Sequence, residues 1–158
     1  QPVYVFEHIE FCKCHPVWNG EQYTMMRKMS SLSRDMVTVL PIPQMGYGSY
    51  LRTIGQCGLA MTAGVPVQQA FYSRLASSGG PPIDHGQIED MGIWWLSRGA
   101  IGVAREVTER ARYSFFLATG IVPAEQRSLE NEYSNLPLVC NHARVYQHFI
   151  DPLMEFTV

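Results

Sequence analysis

The sequence predicts an α+β chain, with a β-hairpin over residues 1–30 and a mainly helical body over 31–158. Two observations carry this. The run Ile9-Glu10-Phe11-Cys12-Lys13-Cys14-His15-Pro16-Val17-Trp18 is strand-like and ends at Asn19-Gly20, and a second strand-like run follows, closing on Met25-Met26-Arg27-Lys28-Met29. Asn-Gly supplies the positive backbone angles that a tight reversal between twisted strands needs. From Tyr50 onward the apolar spacing turns helical, through Tyr50, Leu51, Ile54, Cys57, Leu59 and Met61.

Composition narrows the class. With 158 residues, 46% hydrophobic and 16% charged, the chain is one domain long and can bury a sizeable core. A net charge of -2 provides no global basic field for nucleic acid, so binding of that kind would rest on local clusters. Four cysteines, Cys12, Cys14, Cys57 and Cys140, are too few and scattered for a disulfide framework and favour a reduced intracellular setting. No apolar run reaches membrane-spanning length. The chain opens on Gln1-Pro2 without a methionine or a signal-like segment, which is expected of a piece of something longer.

In chain order, Val3, Val5, Ile9 and Phe11 alternate with Tyr4, Phe6 and His8, so the opening strand is expected to be half covered on both faces. Glu7 and Glu10 point to local exposure. Ser30, Ser31 and Ser33 lead into a short helix around Arg34-Asp35-Met36, which Pro41 and Pro43 stop. Gly55 and Gly58 within the helix starting near Tyr50 suit close approach of a neighbour. Gly64 marks its end, and Pro66 opens a second helix with Val67, Ala70, Phe71 and Leu75 on a buried stripe. Ser77-Ser78-Gly79-Gly80-Pro81-Pro82 reads as a surface loop. Ile93-Trp94-Trp95-Leu96 reads mainly as core. A charged amphipathic helix is expected over Val103–Leu117, with Arg105 and Glu109 as an i,i+4 pair. Pro123 starts a last helix that Asn135-Leu136-Pro137 ends.

Four segments in order form a pattern. Glu10-Phe11-Cys12 with His15-Pro16-Val17-Trp18-Asn19-Gly20 resembles motif E of the RNA-dependent RNA polymerases of tombusvirus- and carmovirus-type plus-strand RNA viruses. Met26-Arg27-Lys28 resembles the returning strand of that motif, and Leu32-Ser33-Arg34-Asp35 the family's Ser-Lys-Asp segment. The run from Gly55 to Val67, Gly-Gln-Cys-Gly-Leu-Ala-Met-Thr-Ala-Gly-Val-Pro-Val, resembles its glycine-rich thumb segment.

The resemblance implies that residues 1–30 form a hairpin at the palm edge and 31–158 a thumb-like domain. Phe11, Cys12, Lys13 and His15 would then form the motif E primer grip, which supports the 3′ end of the growing strand. Lys13, Arg27, Lys28, Arg34 and Arg52 would contact RNA phosphates, which position RNA without reading its sequence. The family usually has glutamine where this chain has Lys13. RNA template and product, nucleoside triphosphates, and the rest of the palm and fingers are the implied partners, in a replication complex of the host cytoplasm. Nucleotide addition needs two divalent ions, Mg2+ or Mn2+, held by aspartates. The family carries these upstream of motif E, including a Gly-Asp-Asp turn. This chain has no Gly-Asp-Asp, so it is expected to be unable to catalyse alone and to hold no catalytic residue or metal itself.

Plainer readings stand beside these. Cys12 suits a buried small hydrophobe. Cys12, Cys14, His8 and His15 are all zinc-ligand types, but their spacing matches no familiar site, and Cys140 with His142 is weaker still. Arg27-Lys28 suits a solvated sheet edge, and Arg34 an ion pair with Asp35. A non-catalytic helical interaction module is the alternative reading of the whole chain.

Overall fold

The computed structural model describes residues 2–38, 46–81 and 102–138. Pro41, Pro43, Trp94, Trp95, Cys140 and His142 lie outside the described residues. In chain order come β1 (Cys14–Trp18), β2 (Tyr23–Arg27), α1 (Leu32–Asp35), α2 (Tyr47–Thr62), α3 (Gln68–Ala76), α4 (Glu109–Thr119) and α5 (Pro123–Ser134), with single 3-10 turns at Phe6–His8 and Met29–Ser31. The α+β class holds: β1 and β2 pair antiparallel, with Cys14 opposite Arg27 and Trp18 opposite Tyr23, and helices follow.

The opening run is not a strand. Glu7 is buried and its Oε1 accepts from Ser114 Oγ at 2.8 Å, while the next residue, His8, bonds through Nε2 to the Leu117 carbonyl at 2.9 Å. Both adjacent residues reach α4, whereas strand alternation would send them to opposite faces. The segment therefore turns at Phe6–His8, and Tyr4, Phe6 and Ile9 remain exposed. Ser114 Oγ also accepts from the Trp18 N–H at 2.9 Å, so one hydroxyl joins the first turn, β1 and α4.

Two apolar clusters hold the helices and hairpin together. Leu32, Tyr50, Leu51, Ile54, Leu59, Phe71, Tyr72 and Leu75 form the first, between α1, α2 and α3. Close contact of α2 with α3 depends on the two helix glycines: a Cβ at Gly55 would meet the backbone of Leu75 and Ala76, and one at Gly58 the Tyr72 ring. The second cluster unites Val17 and Met26 of the hairpin with Val65, Val67 and Phe115. Full burial of side chains of this size contributes about 1.5–3 kcal/mol each.

The expected helix over Val103–Leu117 starts only at Glu109, where Thr108 caps it by accepting from the Ala111 N–H at 3.1 Å. The segment before it is bound instead to α3 by Gln69, whose Oε1 accepts from the Arg105 N–H at 2.9 Å and whose Nε2 donates to the Arg105 carbonyl at 2.8 Å. The Arg105–Glu109 pair is accordingly replaced by Arg105–Glu21 and by Arg127–Glu109, the latter at 2.8 Å. α5 starts at Pro123 and ends with Asn135 as its C-cap, as the sequence predicts.

Candidate nucleic-acid interface

The hairpin has a turn at each end. At the closed end, Asn19 is buried and its Oδ1 accepts from the N–H groups of Glu21 at 3.0 Å and Gln22 at 2.9 Å. Gly20 takes a positive φ of 102°, and Asn19 is not among the positive-φ residues, so only half of the expected Asn-Gly geometry occurs. The Asn19 side chain does the capping that a second left-handed residue would otherwise make unnecessary. The backbone carbonyl of Asn19 lies where a Cβ of Gly64 would stand, and Gly64 has φ 81°, so this turn sits directly on the corner between α2 and α3.

At the open end, Phe11 and Cys14 exchange both backbone bonds, at 3.0 and 2.9 Å, with only Cys12 and Lys13 between them. Both intervening residues have positive φ, 50° and 61°, the geometry of a type I′ turn made here without glycine or asparagine. The Lys13 carbonyl also accepts from the Lys28 N–H at 3.3 Å, which fixes the turn to the end of β2. Cys12 is exposed rather than buried, because the turn carries it off the sheet, and Phe11 is 69% exposed.

Phe11, Cys12, Lys13, His15 and Lys28 therefore gather at this open end. Lys13 is exposed and makes no ion pair among the described residues. Lys28 pairs with Glu10 at 3.0 Å, both exposed, and this bond holds the Glu10 carboxyl below its usual range. His15 shares the core-facing side of β1 with Val17, and its Nδ1 is buried without a hydrogen-bond partner among the described residues. Burial pushes the Cys14 thiol up, and its S–H donates to the Cys12 carbonyl at 3.5 Å.

The other cations differ in availability. Arg27 is half-buried, paired with Asp35 and bonded to the Tyr72 hydroxyl. Asp35 thus takes Arg27 and not its neighbour Arg34, which is exposed and makes no ion pair among the described residues. Burial pushes the Tyr72 hydroxyl well above the usual phenol range, and Asp35 adds to the effect against the opposing pull of Arg27. Arg52 donates from Nη1 to the Gly80 carbonyl at 2.8 Å and braces the surface loop. Among the described residues no group of three His, Cys, Asp or Glu side chains is placed to hold a metal ion. None of the described helices is long and apolar enough to cross a membrane.

A sequence model of the family described as viral RNA dependent RNA polymerase matches residues 1–141. The chain belongs to that family. It is 41% identical over 139 residues to the RNA-directed RNA polymerase of Maize chlorotic mottle virus, covering 85% of this chain and 14% of that protein. It is 35% identical over 148 residues to the RNA-directed RNA polymerase of Turnip crinkle virus, covering 89% and 19%, and 32% identical over 146 residues to that of Carnation mottle virus, again 89% and 19%. The chain thus spans less than a fifth of the length of these viral polymerases. No solved structure matches it significantly.

This polymerase segment also contains polar features that sequence reasoning missed. Arg112 is buried and forks onto Glu130, with Nη1–Oε1 and Nη2–Oε2 both at 3.0 Å. Gln126 is fully buried and donates to the carbonyls of Arg112 and Ile121. Arg110 stacks over the Trp18 ring, 3.8 Å from its centroid. The only signal for Arg112 was its place among charges on one helix, where a solvated face is the commoner meaning.

Proposed function

We propose that this chain is the motif E and thumb portion of a viral RNA-directed RNA polymerase, supporting the primer 3′ end and the product duplex during template-directed synthesis. Family membership supports the polymerase assignment. The observation that carries the role is the Cys12-Lys13 turn: two residues with side chains, both in left-handed backbone, exposed at a tip that three backbone bonds fix. Such a conformation costs about 1–3 kcal/mol per residue and persists only where the surroundings over-determine it. A rigid element close to a sugar-phosphate backbone needs this kind of tip.

Lys13 at the tip, with Lys28 beside it, supplies the phosphate-contacting charge. Arg34 is free to join them, whereas Arg27 and Arg52 act first as internal braces. The partners of this reading are RNA template and product, nucleoside triphosphates, and the remaining palm and fingers. Divalent metal belongs to those other parts. Among the described residues no cluster of His, Cys, Asp or Glu fits a metal pair.

The test is nucleotide incorporation by this chain alone and by the complete polymerase with and without Lys13→Ala. The isolated chain should incorporate nothing. Lys13→Ala in the complete enzyme should weaken primer–template binding and lower the salt slope of binding by roughly one charge. Unchanged binding and slope would contradict the assignment of the tip.

A further inference from the structure

Val67 is fully buried at φ 66°, ψ -56°, and the Gln68 N–H donates across it to the Pro66 carbonyl at 2.6 Å. This is the rare γ-turn with positive φ, and a β-branched residue at its centre makes it strained. The strain is held from α5: Glu130 Oε1 accepts from the Val67 N–H at 3.0 Å while Arg112 of α4 grips the same carboxylate with its fork. The turn aims Gln68, which is 1% exposed, at the hairpin. Gln68 Nε2 donates to the carbonyl of Arg27 at 2.6 Å and lies 3.7 Å from Met29 Sδ. Arg27 is the last residue of β2 and sits opposite Cys14, and the following Lys28 N–H holds the Lys13 carbonyl.

An unbroken polar path therefore runs from Arg112 and Glu130, through the strained turn at Val67, to Gln68, to the end of β2, and so to the Cys12-Lys13 tip. We infer that Gln68 is a positioning residue, set by the Arg112–Glu130 pair, that holds the Cys12-Lys13 tip in place for RNA synthesis. A side-chain amide suits this task because its donor is directional, and in a buried site the lost donor leaves the Arg27 carbonyl unpaired. The consequence for synthesis rests on the reading of the tip as primer support.

The experiment uses the complete polymerase carrying Gln68→Met, which keeps an unbranched chain of similar length but has no donor, and separately Glu130→Gln, which keeps an acceptor for the Val67 N–H but loses the charge. Gln69→Leu is the comparison: that side chain binds Arg105 and Gly64 and makes no bond to β2. Hydrogen exchange of the peptide covering 11–18 and the single-turnover rate of first nucleotide addition are measured together. Expected for Gln68→Met is exchange roughly ten-fold faster in that peptide. The addition rate should fall about ten-fold with the reactive amplitude retained. Glu130→Gln should move both readouts the same way by less. Gln69→Leu should lower the amplitude, as loss of folded enzyme does, without changing the rate. Unchanged exchange in the 11–18 peptide for Gln68→Met would overturn the inference. Faster exchange with an unchanged addition rate would uphold the clamp and overturn instead the primer-support reading.

Discussion

The two turns of one hairpin are built by opposite means. The closed end uses glycine for its positive φ, buries Asn19, and seats its backbone against Gly64. The open end puts cysteine and lysine in left-handed backbone, leaves them exposed, and relies on Phe11, Cys14 and Lys28 for restraint. Sequence chemistry that lowers conformational cost appears where the hairpin joins the helices, and it is absent where the hairpin faces outward. Both ends are tied to the helices, the closed end by its own turn on Gly64 and the open end one residue behind its tip, where Gln68 binds the Arg27 carbonyl.

Substitutions should separate the two ends sharply. Gly64→Ala places a Cβ on the Asn19 carbonyl at φ 81°, and should destabilise the protein by about 3 kcal/mol from the left-handed penalty and forced backbone shift together. Thermal unfolding reads this, and a loss below about 1 kcal/mol would mean that the corner yields freely. Asn19→Ala strips the acceptor from two backbone N–H groups and should cost about 1–3 kcal/mol by denaturant titration.

At the open end the sign should reverse. Lys13→Gly relieves a left-handed side chain and should stabilise folding by up to about 1 kcal/mol. The same variant should weaken RNA binding, so one substitution would raise the melting temperature and lower affinity. Loss of both would show that the tip is structural, like its counterpart.

The smallest effect concerns the two thiols. Burial raises the Cys14 pKa, so the folded chain keeps a proton that the unfolded chain releases near pH 9. Stability contributed by this group is complete below that pH and declines as pH rises through the higher folded value. Cys12, exposed at the tip, should alkylate faster than Cys14 at neutral pH, with the gap closing as pH rises, and peptide mass analysis would show the order.

Much of this was legible in the sequence. Asn19-Gly20 placed the closed turn, the spacing after Tyr50 announced α2, and Pro123 with Asn135 bounded α5. The motif E resemblance drew attention to Phe11, Cys12, Lys13 and His15 without revealing that Cys12-Lys13 is a turn, since neither residue is a usual left-handed choice. Glu7 reads as exposed from the sequence because nothing local announces Ser114, 107 positions away, as its partner. Likewise Arg27 took Asp35, whereas proximity in sequence suggested Arg34. Ion pairing across elements depends on which faces meet, and periodicity alone does not encode that.

In the proposed role the Cys12-Lys13 tip lies at the end of the growing strand. Its most direct test is a short photo-crosslinker attached to Cys12 in the complete polymerase, stalled on a primer–template of defined length, with the crosslinked nucleotide mapped. Crosslinks confined to the last few nucleotides at the primer 3′ end, advancing one position with each added nucleotide, are the predicted result. Crosslinks that stay at a fixed template position, or appear on protein alone, would contradict it.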